Sequence, residues 1–144
     1  MRSAKAISWF LGITMFTFGI LKVLIPTVNG WFIVQMTKSG LSRYTPVWIG
    51  ITGEIIVGLA LIISLVMDKK LASKPFKIIV LFASAAIIPM MLSAIYVHLQ
   101  PAVPAEVLPL QIKPPFIPAF ILLLALANIF LIKKQMKNPT AIQH

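Results

Sequence analysis

Apolar residues in this chain gather into four long runs, and polar or turn-forming residues separate them. The first run is Ile7 to Ile25, stopped by Pro26. The second is Val47 to Met67, stopped by Asp68, Lys69 and Lys70. The third runs from about Phe76 to His98, and the fourth from Phe116 to Ile132, stopped by Lys133 and Lys134. No run alternates apolar and polar residues, so the strand period is missing. At about 1.5 Å per residue each run can cross a hydrocarbon layer of about 30 Å, the fourth only just. The pattern predicts an all-α integral membrane bundle of four transmembrane helices, spans 7–25, 47–67, 76–98 and 116–132, in a single domain over residues 1–144.

The connections differ in kind. Residues 26–46, "PTVNGWFIVQMTKSGLSRYTP", are too polar to span, yet "WFIVQM" is apolar and aromatic and is bracketed by Gly30 and Gly40. This predicts a short interfacial or re-entrant helix that lies at the membrane surface or folds back onto the bundle. Residues 99–115 contain five prolines, at 101, 104, 109, 114 and 115. They exclude a regular helix and predict a semi-rigid, extended lid. The loop "DKKLASK" is short, so spans two and three should be antiparallel neighbours.

Composition fits this picture. The chain is 59% hydrophobic and only 11% charged, with a mean hydropathy of +0.97; soluble domains carry about 25% charged residues. Cysteine is absent, which excludes disulfides, thiolate nucleophiles and cysteine-ligated clusters. Two histidines, His98 and His144, do not make a metal site. The net charge of +10 flanks the apolar runs, so it reports topology and contact with membrane lipid, not nucleic acid. Arg2, Lys5, Lys69, Lys70, Lys74, Lys77, Lys133, Lys134 and Lys137 fall on one side; Lys38, Arg43 and Lys113 fall on the other. This asymmetry predicts cytoplasmic N and C termini and a multi-pass protein of the cell (plasma) membrane. The first run is too long for the core of a cleaved signal sequence, carries Lys22 and is followed by no small-residue cleavage site, so it reads as a retained span.

Three ionisable residues from three spans fall in the same outer half: Lys22, Glu54 and His98. Charges within spans face the bundle interior or water. Gly50, Glu54 and Gly58 share one helix face, and Gly19 and Lys22 share another, continued by Met15 and Gly12. Small residues let helices approach, so the simplest packing sets the glycine face of span one against that of span two and brings Lys22 toward Glu54. Three readings of Glu54 stay open: a structural pair with Lys22, a ligand or proton site open to the outside, or a contact with a partner subunit. Lys22 also has a snorkelling reading. His98 reads either as an interfacial polar residue or as a proton donor or acceptor in the same pocket. Tyr96, Tyr44, Trp31 and Trp48 fit an aromatic belt; Tyr96 and Trp48 are also candidates to wall a ring-shaped ligand. Pro89 should kink span three. Asn128 reads as a hydrogen-bonding tie between helices, and Met90 and Met91 as packing.

The segments "FGILKVL" late in span one and "GITGEIIVGLALII" in span two, with a histidine closing span three, resemble the DoxX-like family of small four-helix membrane proteins. The family pattern falls on Gly19, Lys22, Glu54, Gly58 and His98. The resemblance implies an accessory role in a membrane redox system linked to a quinone, the single cofactor it suggests. It also implies an alternative, a non-enzymatic chaperone or assembly partner of another membrane protein. A thiol-based role among relatives does not transfer to a chain without cysteine.

Two functions follow as expectations. In the first, a small ligand such as a quinone binds in the outer half between Lys22, Glu54 and His98, with Tyr96 and Trp48 as further candidates, while Gly19, Gly50 and Gly58 hold the helix contact. In the second, Lys22 and Glu54 lock the bundle, and the chain recognises another membrane protein or a second copy of itself. A transporter is disfavoured because the spans show no internal repeat. No nucleophile–base arrangement, metal-ligand spacing or phosphate loop marks this chain as an enzyme by itself.

Overall fold

The computed structural model describes residues 2–67 and 73–137. All regular structure in it is helical. In chain order the helices are α1 (Arg2–Leu24), α2 (Pro26–Lys38), α3 (Val47–Val66), α4 (Ser73–Leu99) and α5 (Phe116–Lys137). Four of them, all but α2, are long and apolar enough to cross a membrane. The Asp68-Lys69-Lys70 stop, the charges counted there and His144 lie outside the described residues.

Going round the bundle the order is α1, α3, α4, α5, with α1 packed most closely on α3 and α4 on α5. Spans two and three are neighbours as expected. Leu11, Met15, Leu61, Val80, Ile87, Ala125 and Ile132 form the centre of the core. Equally apolar residues, among them Ile13, Ile56, Phe82, Leu123 and Phe130, point outward. A helix that is apolar all round needs an apolar solvent on its outer face.

Several hydroxyls within these helices are satisfied locally, whereas the buried Asn128 Oδ1 has no protein partner among the described residues. The hydroxyls of Ser8, Thr52, Ser64 and Ser93 donate to carbonyls three or four residues earlier. Asn128, buried on α5, donates to Ser8 Oγ on α1 and Ser84 Oγ on α4, each at 2.9 Å. It is the tie between helices that its position predicts. Pro89 lies inside α4, where it leaves the Ala85 carbonyl without its usual helical donor.

The connection after α1 differs from the expectation in extent. The helix does not begin after Gly30; it begins at Pro26, which occupies the first turn behind an extended Ile25. Proline suits that place, because an N–H there has no helical partner and its φ is already helical. The side-chain amide of Asn29 donates to the Lys22 carbonyl at 2.8 Å, satisfying one of the free acceptors at the end of α1. Helix α2 ends at Lys38 and is capped by Ser39; Gly40 follows, with a φ of +79°, the left-handed geometry glycine takes most easily. Helix α2 folds back onto the bundle, with Met36 buried.

The proline-rich connector also needs a correction. It contains no α-helix, but it is folded rather than extended, with 3₁₀ turns at Ala105–Val107 and Pro109–Gln111. Val103 and Leu108 bury themselves against Val97 of α4, with Leu41 and Val107 packed alongside. The prolines forbid the α-helix, and these apolar side chains supply the reason to be compact.

Candidate functional site

Helices α1 and α3 approach closely because glycines line their contact. A Cβ added to Gly58 would sit 2.4 Å from the backbone nitrogen of Phe16. One on Gly19 would sit 2.6 Å from Ile55 Cγ1, and one on Gly12 3.0 Å from Leu61 Cβ. Gly50 does not belong to this contact, contrary to expectation. Its Cβ would meet the Phe32 ring at 2.9 Å, so Gly50 makes room for α2 and not for α1. Periodicity put Gly50 on the right face of its helix and could not say which neighbour lies over the first turn.

The close approach brings Lys22 onto Glu54. The ammonium lies 2.5 Å from Oε1 and 2.6 Å from Oε2. Both side chains are nearly enclosed, with 14% and 12% of their surface exposed. The centroid of the Phe32 ring is 4.1 Å from Lys22 Nζ, close enough for a cation–π contact. Lys22 is therefore turned inward and does not snorkel. Phe32 was not singled out from the sequence; "WFIVQM" marked an apolar helix, and only its fold-back puts this ring over the lysine.

Beside the pair lies a cavity of about 480 Å³ that takes lining residues from α1, α2, α3, α4, α5 and the connector. Lys22, Glu54 and His98 all line it. Most of the rest is apolar or aromatic, including Phe18, Trp31, Phe32, Met90, Met91 and Ile121, with Gly53, Pro89 and Gln35 among the others. Met90 and Met91 thus serve as cavity wall as well as packing. Gly53, unremarked in the sequence beside Glu54, leaves the wall open: a Cβ there would meet only Met90 Cε, at 3.4 Å.

His98 is buried, not interfacial. Its Nδ1–H donates to the Lys113 carbonyl at 3.2 Å, which leaves Nε2 as an acceptor in that tautomer. The Lys113 ammonium donates to the Gln100 carbonyl at 2.5 Å and to the Val103 carbonyl. From α2, the Gln35 amide donates to the Val107 carbonyl. The connector is thereby tied down across the Lys22 end of the cavity.

Tyr96 and Trp48, the other two candidates, are not in the lining. Tyr96 is 45% exposed, and its hydroxyl donates to the Ser39 carbonyl at 3.2 Å. Trp48 is 63% exposed. Both sit on outward faces, as belt residues do. Of Tyr44, Tyr96, Trp31 and Trp48, Trp31 is the one that reaches the cavity. Among the described residues no cluster of acidic or histidine side chains is arranged to hold a metal ion.

The arrangement is a largely apolar cavity whose lining carries a cation, a carboxylate and an imidazole. It can hold a small apolar ring and hydrogen-bond its polar edge. No family model matches the chain, and neither a curated protein nor a solved structure matches it.

Proposed function

We propose that this chain is a DoxX-like multi-pass protein of the plasma membrane that binds a small lipophilic ligand with a hydrogen-bonding head, a quinone, as an accessory subunit of a membrane redox system. The observation that carries this reading is the cavity: about 480 Å³, walled mainly by apolar side chains, with Lys22, Glu54 and His98 in its lining. Ligand sites are commonly of this size and character, with few polar groups that fix orientation. The lysine-rich end of the bundle faces the cytoplasm in this proposal, and the cavity lies in the opposite half.

A quinone supplies two-electron chemistry when bound. The chain's own part is to hold and orient it and to manage protons. The Lys22 ammonium would donate a hydrogen bond to a quinone carbonyl, and Glu54 and His98 would carry the two protons that accompany two electrons. The residues offer no redox centre, so electrons come from a partner membrane protein. The test is the melting temperature in detergent of wild type, Lys22→Met, Glu54→Gln and the double variant, with and without decylquinone. The proposal expects a saturable quinone-dependent rise in wild type that both single variants lose while remaining folded. If quinone moves none of the four, the proposal fails.

One observation favours a second reading. Both carboxylate oxygens of Glu54 are engaged by Lys22 with no ligand required, as in a pair that only locks the bundle. The chain would then be a non-enzymatic assembly partner of another membrane protein, or of a second copy of itself. Exchanging the charges, Lys22→Glu with Glu54→Lys, should preserve that role and abolish an oriented ligand site.

A further inference from the structure

A second concavity, of about 620 Å³, lies on the outside of the bundle between α1 and α5, with Pro109 and Leu110 of the connector also in its lining. Its floor is apolar. Phe10 and Phe120 meet edge to face there, centroids 6.1 Å apart, and Thr14 of α1 lies between the turns that carry Phe10 and Phe18. The groove and the inner cavity share lining residues, namely Phe18, Pro109, Ile117 and Ile121. A single layer of apolar side chains thus separates the space beside Lys22 and Glu54 from the face that meets lipid.

The two ways out of the cavity are not equivalent. Toward the Lys22 end, the connector is held by hydrogen bonds from Lys113, His98 and Gln35. Opening that way breaks several of them and wets an apolar wall, and both changes are unfavourable. Toward α1 and α5, opening displaces Phe18, Ile117 and Ile121 beside Pro109 and breaks no side-chain hydrogen bond. It exchanges apolar protein contacts for apolar lipid contacts, and lipid tails are about as apolar as leucine.

We infer that the ligand reaches the cavity sideways from the bilayer and carries an apolar tail, which leaves the bundle between α1 and α5 and lies in the Phe10–Phe120 groove. This rests on the reading that the cavity binds a lipophilic ligand with a polar head. The occupant of the groove is the tail of that same molecule, because the groove is continuous with the cavity that holds the head. Its chemical class is then a compact hydrogen-bonding head on a single chain.

The test uses the purified full chain and decylquinone bearing a diazirine at the tail end. After illumination, modified peptides are mapped with and without excess unlabelled decylquinone. Competed adducts are expected within residues 10–18 of α1, 116–121 of α5 and at Pro109 and Leu110 of the connector, the residues that line the groove. Thr14→Trp, which fills the groove and not the cavity, should weaken decylquinone at least tenfold while leaving a tail-less quinone head unaffected. Competed adducts on α2 or on connector residues 99–107 overturn the lateral path and leave the cavity reading standing, as does a Thr14→Trp variant that binds decylquinone normally. The absence of both competed adducts and any quinone-dependent melting shift overturns the cavity reading and this inference with it.

Discussion

At the scale of single residues, two glycines make opposite demands. Gly58 has the backbone of Phe16 where a side chain would go; Gly30, inside α2, has nothing within 4 Å. Gly58→Ala forces α1 and α3 apart and should cost about 1–3 kcal/mol. Gly30→Ala adds helix propensity and should add up to about 1 kcal/mol. Melting temperatures of the two variants in one detergent should move in opposite directions. Equal shifts would contradict the packing of α1 on α3. The ion pair gives a second residue-scale prediction. Lys22→Met leaves a nearly enclosed carboxylate without its partner and should destabilise by about 3–5 kcal/mol. Adding Glu54→Gln should recover most of that loss, because the amide carries no charge to strand. A double variant no more stable than Lys22→Met would show that the two side chains do not act as a pair.

At the scale of elements, the connector between α4 and α5 is held by one side chain more than by any other. The Lys113 ammonium donates to two carbonyls of the connector, and its own carbonyl accepts from His98. Lys113→Met removes the ammonium and keeps much of the stem. Protease cleavage within residues 99–115 should then become at least several-fold faster, while the bundle's melting temperature changes little. Unchanged cleavage would mean that the burial of Val103 and Leu108 alone holds the connector. These two connections also show where the sequence stops being informative. Five prolines announce that no α-helix can form between α4 and α5, but the compact turns depend on Lys113 and Val103 meeting groups set by tertiary packing. Likewise, "WFIVQM" announces a helix after α1. Its start at Pro26 was hidden because proline usually reads as a stop, and here it opens the next helix.

At the scale of the whole molecule, the four long helices follow directly from the apolar runs. Their ends shift by a few residues, because Lys74, Lys133, Lys134 and Lys137 continue helices past the apolar runs. The pairing of Lys22 with Glu54 was legible too, since glycines one turn away on each helix mark a close approach. The cavity was not legible. A void is a property of how five helices and a connector fail to fill a space, and no spacing along one chain encodes it. Nor could the sequence separate His98, which reaches that void, from Tyr96, two residues earlier and on another face. The orientation predicted from the lysines is open to direct test because the chain has no cysteine. Tyr44→Cys, at a position 86% exposed at the Lys22 end, should react in intact cells with a membrane-impermeant maleimide. Lys134→Cys, at the opposite end, should react only after lysis. The reverse pattern would invert the topology and place the cavity in the cytoplasmic half.

The claim that joins these scales is that the space beside Lys22 and Glu54 holds a ligand. The most direct measurement is the decylquinone-dependent shift in melting temperature of wild type against Gly53→Leu. Gly53 lines the cavity, and beyond its chain neighbours a Cβ there would meet only the flexible end of Met90, so a leucine at this position fills part of the space. A saturable upward shift in wild type that Gly53→Leu loses, with the variant folded and at least as stable alone, is the result expected. A shift of the same size in both proteins, or in neither, would contradict it.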